Sequence, residues 1–192
     1  HNKFMGSVSL LIGNDIVYNR QTGYSDIESQ VRPNDSTQYR IGSISKTFTA
    51  TLIFHAIDDG KLTLNKSIKK WFPKIKNSKK IKIENLLNHS SGIHNFTNDL
   101  TYQGYHTESK SESEMLDIII KAGSDFDPGS KAAYSNSNYV LLSYILEKIY
   151  KKSYSELLND QIVHKLNLKH TFYGKQINPD NNECFSYMFD EE

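Results

Sequence analysis

Cysteine occurs once in this sequence, at Cys184. A single thiol excludes an internal disulfide, a CxxC redox pair and a cysteine-based zinc site together. Charge of one sign is also lacking. With 23 basic residues against 22 acidic and a net charge of +1, no global field directs the chain to nucleic acid or an anionic membrane, so recognition must be local. Long hydrophobic runs are missing: the stretch from Val140 to Leu146 is broken by Ser143 and Tyr144, far short of the ~18–20 residues of a membrane-spanning helix. The start, His1-Asn2-Lys3-Phe4-Met5, has no apolar signal core before strand-like sequence begins. Any export signal is therefore expected to have been removed or never to have existed. Two catalytic signatures are absent as well. The histidines His1, His55, His89, His94, His106, His164 and His170 form no HExxH pair and the carboxylates show no metal-ligand spacing, so no metal or other cofactor is implied. No GxSxG elbow occurs, which removes the main sequence support for an α/β-hydrolase triad.

What is present fits one domain or slightly more: 192 residues, 37% of them hydrophobic, with a soluble globular composition. Ser7 to Ile12 alternates, with Val8, Leu10 and Ile12 on one face, and Gly13-Asn14-Asp15 turns it into Ile16-Val17-Tyr18, which reads as a hairpin. After a polar connection holding Pro33, Asn34 and Asp35, a run from Gly42 to Asp59 carries apolar residues around nearly its whole circumference. That predicts a helix buried on most sides except at its first turn, stopped by Gly60. Eight lysines between Lys66 and Lys82 surround Trp71, Phe72 and Pro73 and read as a solvated surface loop rather than a nucleic-acid patch. A short helix is expected from Glu84 to His89, stopped by Gly92. Ser111 with Glu114 and Ser153 with Glu156 are capping boxes that open two further helices. Between them Val140, Leu141, Tyr144, Ile145 and Ile149 recur at helical spacing. The expected layout is a single domain: strands over 1–42, a buried helix over 43–60, a mainly helical region over 61–173 and an irregular end over 174–192. The fold class is α/β or α+β with a helical subdomain.

One serine arrangement carries chemistry. Ser43-Ile44-Ser45-Lys46 is an S-x-x-K, which on a helix sets hydroxyl and amine on one face a turn apart. The pattern alone decides nothing, since 22 serines and 20 lysines produce about two matches by chance. The second match, Ser67 to Lys70, lies in the lysine-rich loop. Ser43 instead follows Gly42 and opens the apolar helix, where orphan N–H groups can hold an oxyanion. Helix capping would explain Ser43 or Ser45, but not a lysine directed along the same apolar helix, where its charge is costly without a partner.

Ile41-Gly42-Ser43-Ile44-Ser45-Lys46-Thr47-Phe48-Thr49 resembles the active-site motif of the serine β-lactamase and penicillin-binding protein superfamily, in its class C and D,D-peptidase/esterase branch. Further landmarks follow in order: Gly23-Tyr24-Ser25-Asp26, Leu86-Leu87-Asn88-His89-Ser90-Ser91-Gly92, Pro128-Gly129, Tyr134-Ser135-Asn136-Ser137-Asn138-Tyr139 and Leu166-Asn167-Leu168-Lys169-His170-Thr171. The resemblance runs from about Phe4 to Tyr173. It implies a β-lactamase/transpeptidase-like fold, an antiparallel sheet flanked by helices with a helical subdomain. It also implies Ser43 as nucleophile, Lys46 as its amine or ammonium partner, Tyr134 as proton relay, and Asn136 as a substrate-binding amide. Neither Lys nor Tyr is a base unaided at pH 7, because each pays about 3 pKa units or more. A neighbouring cation and burial lower both, so the pair can activate Ser43 together. Which of the two takes the proton is open at this point. The family's third element, Lys or His, a small residue, then Gly on a strand, has one match of its form, Lys121-Ala122-Gly123. It precedes Tyr134 and reads as a helix end, so it is rejected. The sheet is therefore expected to be incomplete in this chain, with an open edge that invites self-association. The implied activity is that of a serine hydrolase working through an acyl-enzyme on a small-molecule or peptide substrate: a β-lactam, a D-Ala-D-Ala peptide or a small ester. The alternative is a non-catalytic or truncated relative that binds a peptide or protein partner through the same cleft. Family habit implies an exported protein of the periplasm or cell envelope.

Overall fold

The computed structural model describes residues 4–187, so His1 and the last five residues of the expected irregular end lie outside the described residues. The chain divides into two compact units, His1–Ser43 with Lys169–Glu192, and Ile44–Leu168.

In the first unit the predicted hairpin forms. Strands β1 (Gly6–Ile12) and β2 (Asp15–Thr22) pair antiparallel, and the register shifts between Leu10, opposite Tyr18, and Leu11, opposite Ile16. Val17 is thus the extra residue of a bulge, which locally increases the twist. Gly13 makes the turn with φ +61°, a conformation that glycine adopts without steric cost. The alternating face of Val8, Leu10 and Ile12 stays exposed, Ile12 by 71%. Among the described residues the sheet has these two strands. The end of the chain is more organised than its composition predicts. Gln38 donates its N–H to the Asn182 carbonyl at 2.9 Å and accepts from Cys184 N–H at 2.8 Å, while Phe185 N–H reaches Ser25 O at 3.0 Å. Arg40 donates to the carbonyl of Lys175 and pairs with Glu183.

The second unit is helical: α1 (Ser45–Asp58), α2 (Ile83–Leu87), α3 (Glu112–Ala122), α4 (Asn136–Tyr150) and α5 (Tyr154–Leu158), the last continuing as a π turn over Asn159–Val163. Helix α4 is its centre, packing on α1, α2 and α5. Leu141, Leu142, Ile145 and Leu146 of α4 and Leu52, Ile53 and Ala56 of α1 are fully buried, each large side chain contributing ~1.5–3 kcal/mol by leaving water. Both predicted capping boxes form. Ser111 accepts from Glu114 N–H and Ser153 from Glu156 N–H, and each glutamate returns a bond to its serine.

Helix α1 corrects one expectation. It is buried on one side, at Thr49, Leu52, Ile53 and Ala56, whereas Thr47, Thr51, Phe54 and Asp58 form an exposed strip. Counting apolar residues around a helical wheel does not say how many sides neighbouring helices cover. In the lysine-rich stretch, Ile68, Phe72, Ile75 and Ile81 turn inward and are buried, while its lysines point out.

Candidate active site

Gly42, at φ +50°, leads into a single 3-10 turn, Gly42–Ile44, that carries Ser43. Helix α1 begins one residue later with N-cap Ile44, which makes no side-chain cap bond, so the capping role considered for Ser43 or Ser45 does not fall at the N-cap position. Ser43 lies in the first unit, at its boundary; Lys46, Tyr134 and Asn136 lie in the second.

Lys46 sits in the first turn of α1 and is half-buried. Its ammonium donates to Asn136 Oδ1 at 2.8 Å and lies over the rings of Tyr134 (4.9 Å to the centroid) and Tyr139 (5.7 Å). A charge-assisted bond and two cation–π contacts offset the desolvation that the apolar helix imposes; the bond contributes ~1.5–3 kcal/mol and each ring ~0.5–1. The Tyr134 hydroxyl also donates to Asn136 Oδ1, at 3.3 Å. Three of the four predicted side chains thus converge on one amide oxygen.

Asn136 is the first residue of α4, and its side chain caps nothing. It is fixed from both ends. Its backbone N–H donates to Asn95 Oδ1 at 2.9 Å, its Nδ2 donates to Thr97 Oγ1 at 3.0 Å, and Thr97 Oγ1 donates to Asn95 Oδ1 at 3.1 Å. The flanking hydroxyls of Ser135 and Ser137 both donate to His94 O, at 3.3 and 2.6 Å. Ser137 and Asn138 are fully buried, and Asn138 accepts from the buried Ser91 hydroxyl at 2.6 Å. Buried polar groups that are this fully bonded specify one backbone path.

His89 and Tyr139 were not singled out by spacing or composition. His89 is held at φ +60°, its ring centroid 4.6 Å from that of Tyr134 and 5.3 Å from that of Tyr139. Its Nδ1 accepts from Ser135 N–H at 3.2 Å. Burial, and then the Lys46 charge, push the imidazole below its usual range, which keeps it neutral and able to accept that bond. Tyr139 stands three residues after Asn136, on the same side of α4, and donates its hydroxyl to Leu87 O at 3.0 Å. Burial, and then Tyr134, push its phenol up. The helical offset makes Tyr139 findable from sequence; His89 stands in the landmark segment 86–92, but no spacing there says that its ring meets Tyr134. Next to this cluster His94 bridges two carboxylates, Asp125 at 2.8 Å and Asp99 at 3.3 Å. The Asp125 bond, above all, raises its pKa.

The two rejected matches have structural roles. Ser67 caps the 3-10 turn Ile68–Lys70 and donates to Ser78 O at 2.8 Å. Lys121-Ala122-Gly123 closes α3, with Gly123 at φ +77°.

A helical unit centred on a helix whose first turn is fixed by polar side chains of other segments, an antiparallel hairpin, and a lysine in the first turn of the helix that follows a serine define a β-lactamase/transpeptidase-like α+β protein. The chain belongs to the beta-lactamase family, whose profile matches residues 4–187. It is 29% identical over 174 residues to the teichoic acid D-alanine hydrolase of Staphylococcus aureus, covering 90% of this chain and 42% of that protein. Among solved structures, D-amino acid amidase from Ochrobactrum anthropi SV3 superposes with a TM-score of 0.83 at 28% identity, covering 97% of this chain and 53% of the amidase. A penicillin-binding protein from Bacillus halodurans shares the fold, with a TM-score of 0.83 at 21% identity over 98% of this chain and 58% of that one. The chain thus spans between about two fifths and three fifths of these relatives. No helix among the described residues is long and apolar enough to cross a membrane.

Proposed function

We propose that this protein is an exported serine hydrolase that forms an acyl-enzyme at Ser43, and that its substrates are D-aminoacyl esters or amides. The observation that carries the reading is the convergence of Lys46 and Tyr134 on Asn136 Oδ1, at 2.8 and 3.3 Å. The substrate class is supported by the relatives, one a teichoic acid D-alanine hydrolase and one a D-amino acid amidase; a β-lactam or a D-Ala-D-Ala peptide would be handled by the same chemistry. The Lys46–Tyr134 pair first gives one proton to solvent, leaving an ammonium–phenolate or an amine–phenol. In the first half-reaction Ser43 Oγ then attacks the acyl carbon and its proton passes to the vacant site of that pair. That pair then protonates the departing alcohol or amine as the acyl bond breaks. In the second, water attacks the seryl ester, loses its proton to the same pair, and the D-amino acid leaves as Ser43 recovers its own. A second N–H of Asn136 Nδ2, beside the one given to Thr97, holds a substrate carbonyl. A cationic ammonium that changes protonation through a phenol needs no histidine–aspartate support, which accords with a neutral His89 stacked on Tyr134.

The test is covalent labelling. Incubation with a fluorophosphonate or a fluorescent penicillin, read by intact-mass spectrometry, is expected to add one label to the wild type and none to Ser43→Ala, with Ser45→Ala and Ser67→Ala labelled as the wild type. Equal labelling of Ser43→Ala would overturn the nucleophile. Turnover of a D-alanyl ester in preference to its L-enantiomer and to nitrocefin tests the substrate class.

A further inference from the structure

From Lys61 to Lys82 the chain carries nine lysines and no acidic residue, leaving 14 of the 23 basic side chains to face all 22 acidic ones elsewhere. A nearly neutral protein is therefore strongly polarised. The segment is not a loose charged loop. Ile68, Phe72, Ile75 and Ile81 anchor it in the core, Ser67 bridges to Lys82, and Ile68 N–H to Ile81 O (3.0 Å) and Ile83 N–H to Lys66 O (3.1 Å) close it at its base. Eight of the nine lysines are exposed. Among the described residues only Lys82 pairs with a carboxylate, that of Glu84 at 3.2 Å. Between them lies an open cleft of about 590 Å³ lined by Lys66, Lys69, Lys70 and Lys79 with the polar side chains of Asn65 and Ser67. Holding so many like charges together on a fixed scaffold costs self-repulsion, which a polyanion would relieve.

We propose that this lysine surface is a docking site for a phosphodiester polymer of the polyol-phosphate type. The inference rests on the D-aminoacyl ester reading of the active site, and deepens it: one relative is a teichoic acid D-alanine hydrolase, and a D-alanylated polymer of this type held on the surface would be the chain whose esters Ser43 cleaves. The composition favours a polymer without bases over nucleic acid. The segment contains no arginine, whose planar fork reads bases and phosphates bidentately. Its aromatic residues offer no stacking platform either, since Phe72 is buried and Trp71 is half-buried beneath Lys70, whose ammonium is 5.8 Å from the ring. Lysines act as point charges, which suits a flexible backbone whose only charged groups are its phosphates. Each D-alanyl ester places an ammonium beside a phosphate, so the deacylated product should bind more tightly than the substrate.

The test uses the 192-residue chain and fluorescently labelled poly(glycerol phosphate), with affinity followed by anisotropy. Binding is expected, weakening about tenfold or more between ~50 and ~200 mM salt as counterions re-condense. The combined Lys69→Glu, Lys70→Glu and Lys79→Glu variant should bind at least tenfold more weakly with a shallower salt slope. Lys121→Glu, Lys131→Glu and Lys165→Glu together, the same change in net charge at other exposed lysines, should stay within about twofold of the wild type. Equal losses in the two triple variants, or none in the first, would overturn the proposal. So would single-stranded DNA of matched charge, or phosphatidylglycerol vesicles, binding as tightly as the polymer. Unchanged melting temperatures establish that the variants fold. Binding that persists in Ser43→Ala while esterase activity is absent separates failure of the hydrolase reading from failure of this one.

Discussion

At the scale of single residues, the chemistry depends on how one lysine is accommodated. An ammonium on an apolar helix must find partners, and Lys46 finds an amide oxygen and two aromatic faces. The same contacts tie it to Tyr134, and the proposed mechanism uses the two as one group. Lys46→Ala and Tyr134→Phe should each slow acylation by ~10²-fold or more, the usual scale of general acid–base catalysis, and the double variant should be little worse than the worse single one. Burst kinetics with a chromogenic ester give the rates; near-wild-type bursts in either single variant would refute a shared base. His89 makes a pH prediction. Its folded pKa is depressed from the ordinary 6.5 by burial and then by Lys46. The neutral ring is therefore the form the fold accepts: its contribution to stability is present above about pH 6.5 and is lost as pH falls through the lower folded value. The melting temperature of the wild type relative to His89→Gln should fall on acidification from pH 7.5 to 5. The difference cancels the opposite effect of His94, whose raised pKa makes its contribution present below 6.5 and lost as pH rises through the folded value.

At the scale of elements, the site is held by the turn between α2 and the residues that follow it. Ser90 O accepts from Gly129 N–H, His89 O from Ala133 N–H, and Gly92 O from Asp125 N–H, so the strand-like segment carrying Tyr134 is laid against 89–92. This close approach needs glycine. Gly92 has φ +76°, and a Cβ there would stand 2.0 Å from the carbonyl oxygen of Phe126. Gly92→Ala should cost about 2–4 kcal/mol, from left-handed strain plus a backbone clash that cannot be relieved by a side-chain rotation. Urea denaturation measures it; a loss below 1 kcal/mol would mean that the 124–129 segment moves aside freely. The capping boxes of Ser111 and Ser153, by contrast, are local devices that need no such approach.

At the scale of the molecule, stability is unevenly distributed. Among the described residues every buried hydrophobic side chain lies between Leu52 and Val163, in the second unit. The first unit has a two-stranded hairpin with Leu10, Leu11, Ile12, Ile16 and Val17 all more than half exposed. Isolated hairpins are marginal in water, and open apolar edges pair with other chains. Amide exchange should accordingly be slowest in α1 and α4 and fastest in β1 and β2. Sedimentation should show concentration-dependent association of the 192-residue chain, reduced by Leu10→Lys with Ile12→Lys. A monomer at all concentrations, or slow exchange in the hairpin, would contradict this distribution.

The sequence by itself determined whatever depends on neighbours along the chain. The hairpin turn at Gly13, the capping boxes at Ser111 and Ser153, the stop at Gly123 and the outward lysines over 66–82 follow from local hydrogen bonding, backbone sterics and charge, which a few residues encode; the burial of Ile68, Phe72, Ile75 and Ile81 in a stretch that reads as a solvated loop does not. The family motif likewise supplied Ser43, Lys46, Tyr134 and Asn136 as the candidates, since its spacing is read directly. What only the tertiary structure decided is which distant groups meet. Asn95, Thr97 and His94 fix Asn136, Tyr139 and His89 enclose Lys46 and Tyr134, and α1 leaves Phe54 exposed although its composition predicts burial on most sides. These contacts join residues some forty to ninety positions apart, or depend on how many sides of a helix its neighbours cover. Both are set by packing among helices rather than by any local pattern, because a hydrogen bond or a buried face needs a partner that the chain brings up only when it folds.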